Sequence, residues 1–315
     1  MNTTLLTTRD LSIGYHHKVL LTGLNLSLSA GKLVCFMGPN GVGKSTLIRT
    51  LAGLQKPLSG SIKIEVNFKS PVSVVLTDKV HLFHMTVADL VTLGRYPYLN
   101  WNARLTSADE DVIKQSLDQV NMLSMANNFL HELSDGQYQL AMIARALAQD
   151  TPIILLDEPT AHLDLNNRLE IMNFLRQLAR TMDRAILVAT HELDLALQTA
   201  DEVWLAGNNK KILSGIAEDL VLNGTFDEIF GLKGFDLKTG RVMHHSFRSR
   251  AVRLLGEGYA YRWTRNALER DGYEVNDAMG SPTVSVKGSV NTYEWSLDDQ
   301  EKFTSIHELL HHLSR

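Results

Sequence analysis

Gly38-Pro39-Asn40-Gly41-Val42-Gly43-Lys44-Ser45 matches G-x-x-x-x-G-K-[ST] in full. It lies between an apolar run, Lys32 to Met37, and a helical pattern from Ser45 to Leu54. Strand, glycine loop and helix in that order are the context a phosphate-binding loop needs. Glycines let successive N–H groups converge on an anion without Cβ clashes, and the following helix adds its N-terminal dipole. Lys44 then neutralises the β/γ-phosphate oxygens and the Ser45 hydroxyl ligates Mg²⁺. The stretch predicts an α/β core that binds a nucleotide.

Working outward, Ile153 to Leu156 and Ala185 to Ala189 are unbroken apolar runs, as in a parallel sheet buried on both faces. A helical pattern from Arg168 to Arg180 connects them. Asp157 ends the first run, where its carboxylate would meet a bound Mg²⁺. Glu158 follows, placed to polarise an attacking water. His191 stands just after the second run, in reach of a γ-phosphate if the two strands are neighbours. Upstream, Leu133-Ser134-Asp135-Gly136-Gln137 opens a helix over Gly136 to Gln149, with Leu140, Ile143, Ala144 and Leu147 as its apolar stripe.

The N-terminal part reads as strands over Leu5 to Tyr15 and Val19 to Leu28, then Ser61 to Val66 and Val72 to Leu76. From Thr86 to about Leu130 the pattern turns helical. Thr86 caps one helix, and Ser107 is expected to cap a second carrying Val112, Ile113, Leu117 and Val120. Past residue 245 the nucleotide-type motifs stop. The remainder reads strand (251–255), helix (259–271), strands (273–276, 283–286, 292–297) and helix (302–313). This predicts a domain over residues 1–245 and a small α+β domain, ferredoxin-like, over 246–315.

Composition narrows the classes. The 315 residues carry a net charge of −4, which gives no electrostatic pull toward nucleic acid. The single cysteine, Cys35, lies in an apolar strand and reads as a packed thiol of a reducing compartment. No run approaches the ~18 apolar residues of a membrane helix, and Met1 to Tyr15 lacks an apolar signal core. The chain is expected to be neither secreted nor membrane-spanning, with docking on a membrane partner left open.

Taken together, the phosphate loop, Leu133 to Gln137, Leu155 to Pro159, Leu163-Asp164 and His191 resemble, in this order, the ATP-binding subunits of ABC transporters, over about residues 1 to 245. The resemblance implies a P-loop NTPase core with an antiparallel β subdomain and a helical subdomain. It also implies a head-to-tail homodimer with ATP and Mg²⁺ between subunits. In that arrangement Gly38 to Thr46 of one subunit hold each nucleotide, and Ser134, Gly136 and Gln137 of the other cap its γ-phosphate. Tyr15 would stack on adenine, Leu163-Asp164 would touch the partner, and Lys44, Glu158 and His191 would serve hydrolysis.

Two positions depart from the family. Asp135 stands where a first glycine is usual, and Thr77-Asp78 replaces the customary glutamine, leaving Asp78 with Ser45 and Asp157 as candidate metal ligands. The segment Thr86 to Pro97 is similar to the branch that imports iron-siderophore, haem or cobalamin complexes through a permease. The alternative from another class is a soluble ATPase of the same type. Finally, His307-Glu308-Leu309-Leu310-His311 matches the H-E-x-x-H zinc helix. The usual later third ligand is absent and the leucines suit a buried final helix, so a structural reading outweighs a catalytic zinc site, with adventitious metal binding and haem contact as the remaining alternatives.

Overall fold

The computed structural model describes residues 3–77, 84–102, 104–231, 235–237, 241–242, 250–276, 281–289 and 292–314. The chain divides into two compact units, Met1–Gly231 and Leu232–Arg315. The composition change near residues 245 and 246 falls at positions 243–249, outside the described residues.

In the first unit, β1 (Thr4–Tyr15) pairs antiparallel with β2 (Lys18–Leu24) and β3 (Ser27–Ser29). β4 (Leu33–Met37) opens the central sheet and runs through the glycine loop into α1 (Lys44–Leu51). β5 (Ser59–Ile64) returns to β1, and β6 (Val72–Val75) joins the central sheet. The expected single strand over Val19 to Leu28 is broken. Asn25 accepts from the Asp10 N–H (3.0 Å) and Thr8 Oγ1 accepts from the Leu26 N–H (2.8 Å), so side chains replace the ladder at the break.

A helical segment follows, with α2 (Val87–Thr92), α3 (Ser107–Gln119) and α4 (Asp135–Ala148). Thr86 caps α2 as expected, exchanging hydrogen bonds with Asp89. The cap of α3 is Thr106, not Ser107: Thr106 and Asp109 form the reciprocal box, which places Ser107 at the first helical position. Ile143, Ala144 and Leu147 of the α4 stripe are buried, and Leu140 only half so.

β7 (Ile153–Asp157), α5 (Leu165–Thr181), β8 (Ala185–Ala189), α6 (Leu193–Thr199), β9 (Glu202–Ala206) and β10 (Ile212–Gly215) complete the central sheet and its covering helices. α5 begins earlier than its apolar periodicity suggests, because Asp164 accepts from the Asn167 N–H (2.9 Å) and caps it. The sheet order is β10-β9-β4-β8-β7-β6, parallel except at β10. Every residue of β4, β7 and β8 is buried, as continuous apolar runs require. The loop after β4 therefore emerges on the same sheet edge as the ends of β7 and β8. The unit closes with α7 (Ala217–Leu222) and α8 (Thr225–Phe230).

In the second unit, β11 (Phe235–Asp236) and β12 (Arg241–Val242) form a short pair. β13 (Ala251–Leu255), α9 (Gly258–Arg270), β14 (Glu274–Val275), β15 (Thr283–Ser289), β16 (Thr292–Leu297), β17 (Glu301–Phe303) and α10 (Ile306–Leu313) follow. The sheet order is β14-β13-β15-β16-β17. β13 and β14 are direct parallel neighbours, so the unit is α+β but lacks the split β-α-β of a ferredoxin-like domain. The expected helix start at Lys302 is also corrected. Residues 301–303 pair with β16, and Ser305 caps α10 by accepting from the Glu308 N–H (3.2 Å).

Candidate functional site

The phosphate loop shows why glycine is needed at particular places. Gly43 has φ +117°, a conformation L side chains rarely adopt, and a Cβ on Gly38 would stand 2.7 Å from the Ala206 carbonyl oxygen. Lys44 and Thr46 are buried at the start of α1. The Lys44 ammonium bends back over the loop and donates to the Gly38 carbonyl (3.0 Å). Burial pulls its pKa down, against the pull of Glu158 and Asp157. Tyr15 ends β1, is 53% exposed, and its hydroxyl lies 3.3 Å from Thr46 Oγ1. A cleft of about 420 Å³ opens beside this loop, lined in part by His17, Lys18, Gly41, Val42 and Lys210.

β7 delivers the carboxylates. Asp157 is buried, and burial pushes its carboxyl above the ordinary range, opposed chiefly by a hydrogen bond from Ser45. Among the described residues its Oδ1 has no hydrogen-bond partner. A buried carboxylate oxygen left open beside a serine hydroxyl is a donor set suited to a hard divalent cation such as Mg²⁺, which takes oxygen ligands. Thr77, which with Asp78 stands in place of the family's glutamine, donates from Oγ1 to the Asp157 carbonyl (3.1 Å) and fixes this strand end. Asp78 lies outside the described residues.

Glu158 leaves the strand with φ +49°, a left-handed conformation rare for a side chain of its size. Its N–H bonds the Ala189 carbonyl (2.9 Å), so β8 sets this turn. β7 and β8 are parallel neighbours with Asp157 opposite Ala189. That register places His191 beside Glu158, with Nδ1 3.0 Å from Glu158 Oε2. The strained glutamate and the imidazole thus meet at the sheet edge from which the phosphate loop emerges.

The Leu133 to Gln137 stretch is a helix opening. Ser134 Oγ accepts from the Gln137 N–H (3.3 Å), and Gln137 Oε1 accepts from the Ser134 N–H (3.0 Å). Asp135 is the first helical residue, favoured there by the dipole.

Residues 21–161 match the ABC transporter family, and residues 249–314 match the iron ABC transporter C-terminal domain. An uncharacterized ABC transporter ATP-binding protein of Methanocaldococcus jannaschii is 38% identical over 238 residues, 73% of this chain and 82% of that one. The chain belongs to the ABC transporter ATP-binding proteins. Among other members, the achromobactin transport ATP-binding protein of Dickeya dadantii is 35% identical over 73% of this chain and 88% of its own length. The iron(3+)-hydroxamate import ATP-binding protein of Bacillus subtilis is 32% identical over 71% and 87%. A solved ABC transporter, described as of metal-chelate type and inward-facing, superposes with a TM-score of 0.68 at 30% identity, over 73% of this chain and 90% of that one. As an ABC ATP-binding subunit the chain hydrolyses ATP to drive transport. Among the described residues no helix is long and apolar enough to cross a membrane.

The H-E-x-x-H stretch is accounted for by the fold. Glu308 accepts from the Thr304 N–H and hydroxyl (2.9 Å each) at the start of α10, Leu309 is fully buried, and His307 and His311 face solvent. Among the described residues no three metal-ligating side chains converge.

Proposed function

We propose that this ATPase powers uptake of an iron chelate of the siderophore class through a membrane permease, as a peripheral homodimer on the cytoplasmic face. Haem and cobalamin are the related cargoes that the Thr86 to Pro97 segment also fits. Two things support the cargo: relatives bear the names of siderophore and iron-hydroxamate transport systems, and the C-terminal residues 249–314 match an iron-transporter domain. We divide the chain into an ATPase domain, 1–245, and an accessory domain, 246–315.

In this reading Gly38, Pro39, Asn40, Gly41, Val42, Gly43, Lys44, Ser45 and Thr46 bind the ATP phosphates, and Tyr15 stacks on the adenine. Ser134, Gly136 and Gln137 cap the nucleotide held by the partner subunit. Ser45 and Asp157, with Asp78, hold Mg²⁺, which when bound offsets phosphate charge. Glu158 accepts the proton of the attacking water, and His191 fixes the Glu158 carboxylate and reaches toward the γ-phosphate. The observation that carries the chemistry is the 3.0 Å pairing of Glu158 with His191 at the edge where the phosphate loop emerges.

Glu158→Gln tests it. The amide keeps the size of the side chain but cannot take a proton, so the variant should bind ATP, accumulate as a dimer, and lose about 100-fold or more in kcat. Hydrolysis at the normal rate would refute the assigned base. For the cargo, the subunit should co-purify in mild detergent with a polytopic membrane protein whose vesicles take up ferric siderophore only with ATP. Vesicles that take up none would remove the iron reading.

A further inference from the structure

His191 has a carboxylate oxygen near each ring nitrogen. Nδ1 faces Glu158 Oε2 at 3.0 Å, and Nε2 faces Glu192 Oε1 at 3.6 Å. That same Glu192 oxygen accepts from Arg168 Nη1 at 2.6 Å. Arg168 uses its other edge, Nε, to donate to the Leu163 carbonyl at 2.6 Å. The Glu192 backbone is fixed too, its N–H donating to the hydroxyl of buried Thr190 (3.0 Å). One guanidinium therefore ties together the turn after β7, the first turn of α5 and the residue beside His191.

We propose that Arg168 is a positioning residue for ATP hydrolysis, setting the His191 imidazole through Glu192 and coupling it to the Leu163-Asp164 turn. The proposal rests on the reading of Glu158 and His191 as the hydrolytic pair. Among the described residues Arg168 forms no hydrogen bond or ion pair with either of them, so its influence passes through one shared oxygen. Arginine suits the place because its planar fork serves two acceptors at fixed angles, which a lysine ammonium does not. Its stem starts from α5, a 17-residue helix capped by Asp164, so the fork is anchored on a rigid element. Glu192 is a half-buried carboxylate beside the His191 imidazole. Without Arg168 its charge would have no Lys or Arg partner among the described residues, and it would draw the imidazole away from Glu158.

The same turn borders the helix opening of α4: a Cβ on Gly136 would stand 3.5 Å from the Asn167 carboxamide, and Asn167 Nδ2 donates to Asp164 (2.9 Å). Displacement of Leu163-Asp164 thus has a path of direct contacts to His191 in one direction and to Gly136 in the other. That is a physical route by which occupancy at one nucleotide site can alter the hydrolytic pair of the other.

Single-turnover ATP hydrolysis by the full chain, run as a double-mutant cycle, tests this. Arg168→Ala should lower the hydrolysis rate about 10- to 100-fold, the scale of a misplaced reacting group, with the ATP concentration for half-saturation changed less than about threefold. In the His191→Ala background the same substitution should cause no further loss, since the group it positions is gone. Glu192→Gln, which removes the charge that would draw the imidazole away, should recover most of the Arg168→Ala loss when the two are combined, and Arg168→Lys, which lacks the two-acceptor fork, should not match wild type. Equal loss from Arg168→Ala with and without His191 would show that Arg168 only braces the fold, and would overturn the proposal. So would a rate unaffected by Arg168→Ala while His191→Ala is slow. If instead His191→Ala hydrolyses ATP normally, the reading of the pair fails and the proposal with it.

Discussion

Thr264 and Trp295 offer a clean measurement of one buried hydrogen bond in the C-terminal unit. Thr264 is fully buried on α9; its hydroxyl accepts from the Trp295 indole N–H at 2.6 Å and donates to the Ala260 carbonyl at 2.7 Å. Thr264→Val keeps the branched shape and replaces the hydroxyl by a methyl. The Ala260 carbonyl keeps its helical N–H partner, so little is lost there. The indole N–H, however, is left in a dry interior with no acceptor, which costs ~1–3 kcal/mol. We expect a loss of about 2 kcal/mol, equivalent to roughly 30-fold faster amide exchange in the slowest peptides of residues 251–314. Exchange read by mass spectrometry on the full chain isolates this unit from the ATPase unit. In the Trp295→Phe background the orphaned donor no longer exists, and Thr264→Val should then cost less than about 0.5 kcal/mol. The reasoning is refuted if Thr264→Val changes exchange less than about threefold, or costs the same with phenylalanine at position 295.

Two further outcomes follow from the ATPase unit. Asp109 accepts from the Thr106 N–H and hydroxyl and from Arg95 (2.9, 2.7 and 2.9 Å), and these hold its carboxyl down to about 2 from 3.8, Thr106 contributing most. A depressed carboxyl stabilises fully above its unfolded value and loses that contribution as pH falls from about 4 to 2. Urea titrations should therefore show wild type ahead of Asp109→Asn by on the order of 1–2 kcal/mol at pH 6, with the gap closing by pH 2. Gly136→Ala should raise stability by ~0.5–1 kcal/mol, since Gly136 is helical, lacks a positive φ and leaves ordinary space for a Cβ. The same variant should lose ATPase activity at least about tenfold, because a methyl would intrude on the partner's nucleotide; unchanged activity would remove Gly136 from the site.

The hydrolytic half of the site was legible because its determinants are local. A glycine loop has its geometry written in consecutive residues, and continuous apolar runs at Ile153 and Ala185 announce parallel strands whose ends carry Asp157 and His191. Their adjacency, inferred from motif order, is the observed register of Asp157 against Ala189. What escaped was long-range or finely balanced. Thr77 bonding Asp157 across 80 residues, and Arg168 meeting Glu192 across 24, leave no periodic trace. Thr106 and Ser107 are both good caps, and the choice falls to Asp109, three residues from the former. Lys302 and Phe303 read as helical with the residues after them, whereas they belong to β17 and Ser305 supplies the cap.

The glycines of the two motifs answer to different demands, and the contrast bears on how the site is completed. Gly38 and Gly43 are required by this subunit's own fold: one by a carbonyl 2.7 Å from where a Cβ would be, the other by its φ. Gly136 is required by nothing described inside the subunit. It sits in the first turn of α4, where alanine would be the better helix former, and the nearest side chain leaves ordinary van der Waals room. A residue that costs stability without serving the fold serves something that approaches from outside. The surrounding groups say what that is. Ser134 and Gln137 have turned their side chains onto each other's backbone, leaving the helix opening rimmed by its dipole, a hydroxyl oxygen and a missing Cβ. Such an opening favours an anion at close range, and Asp135 in the same turn is the group that would repel it. The balance between that dipole and that carboxylate is where this subunit's hold on its partner's nucleotide should differ from a cassette with glycine at position 135.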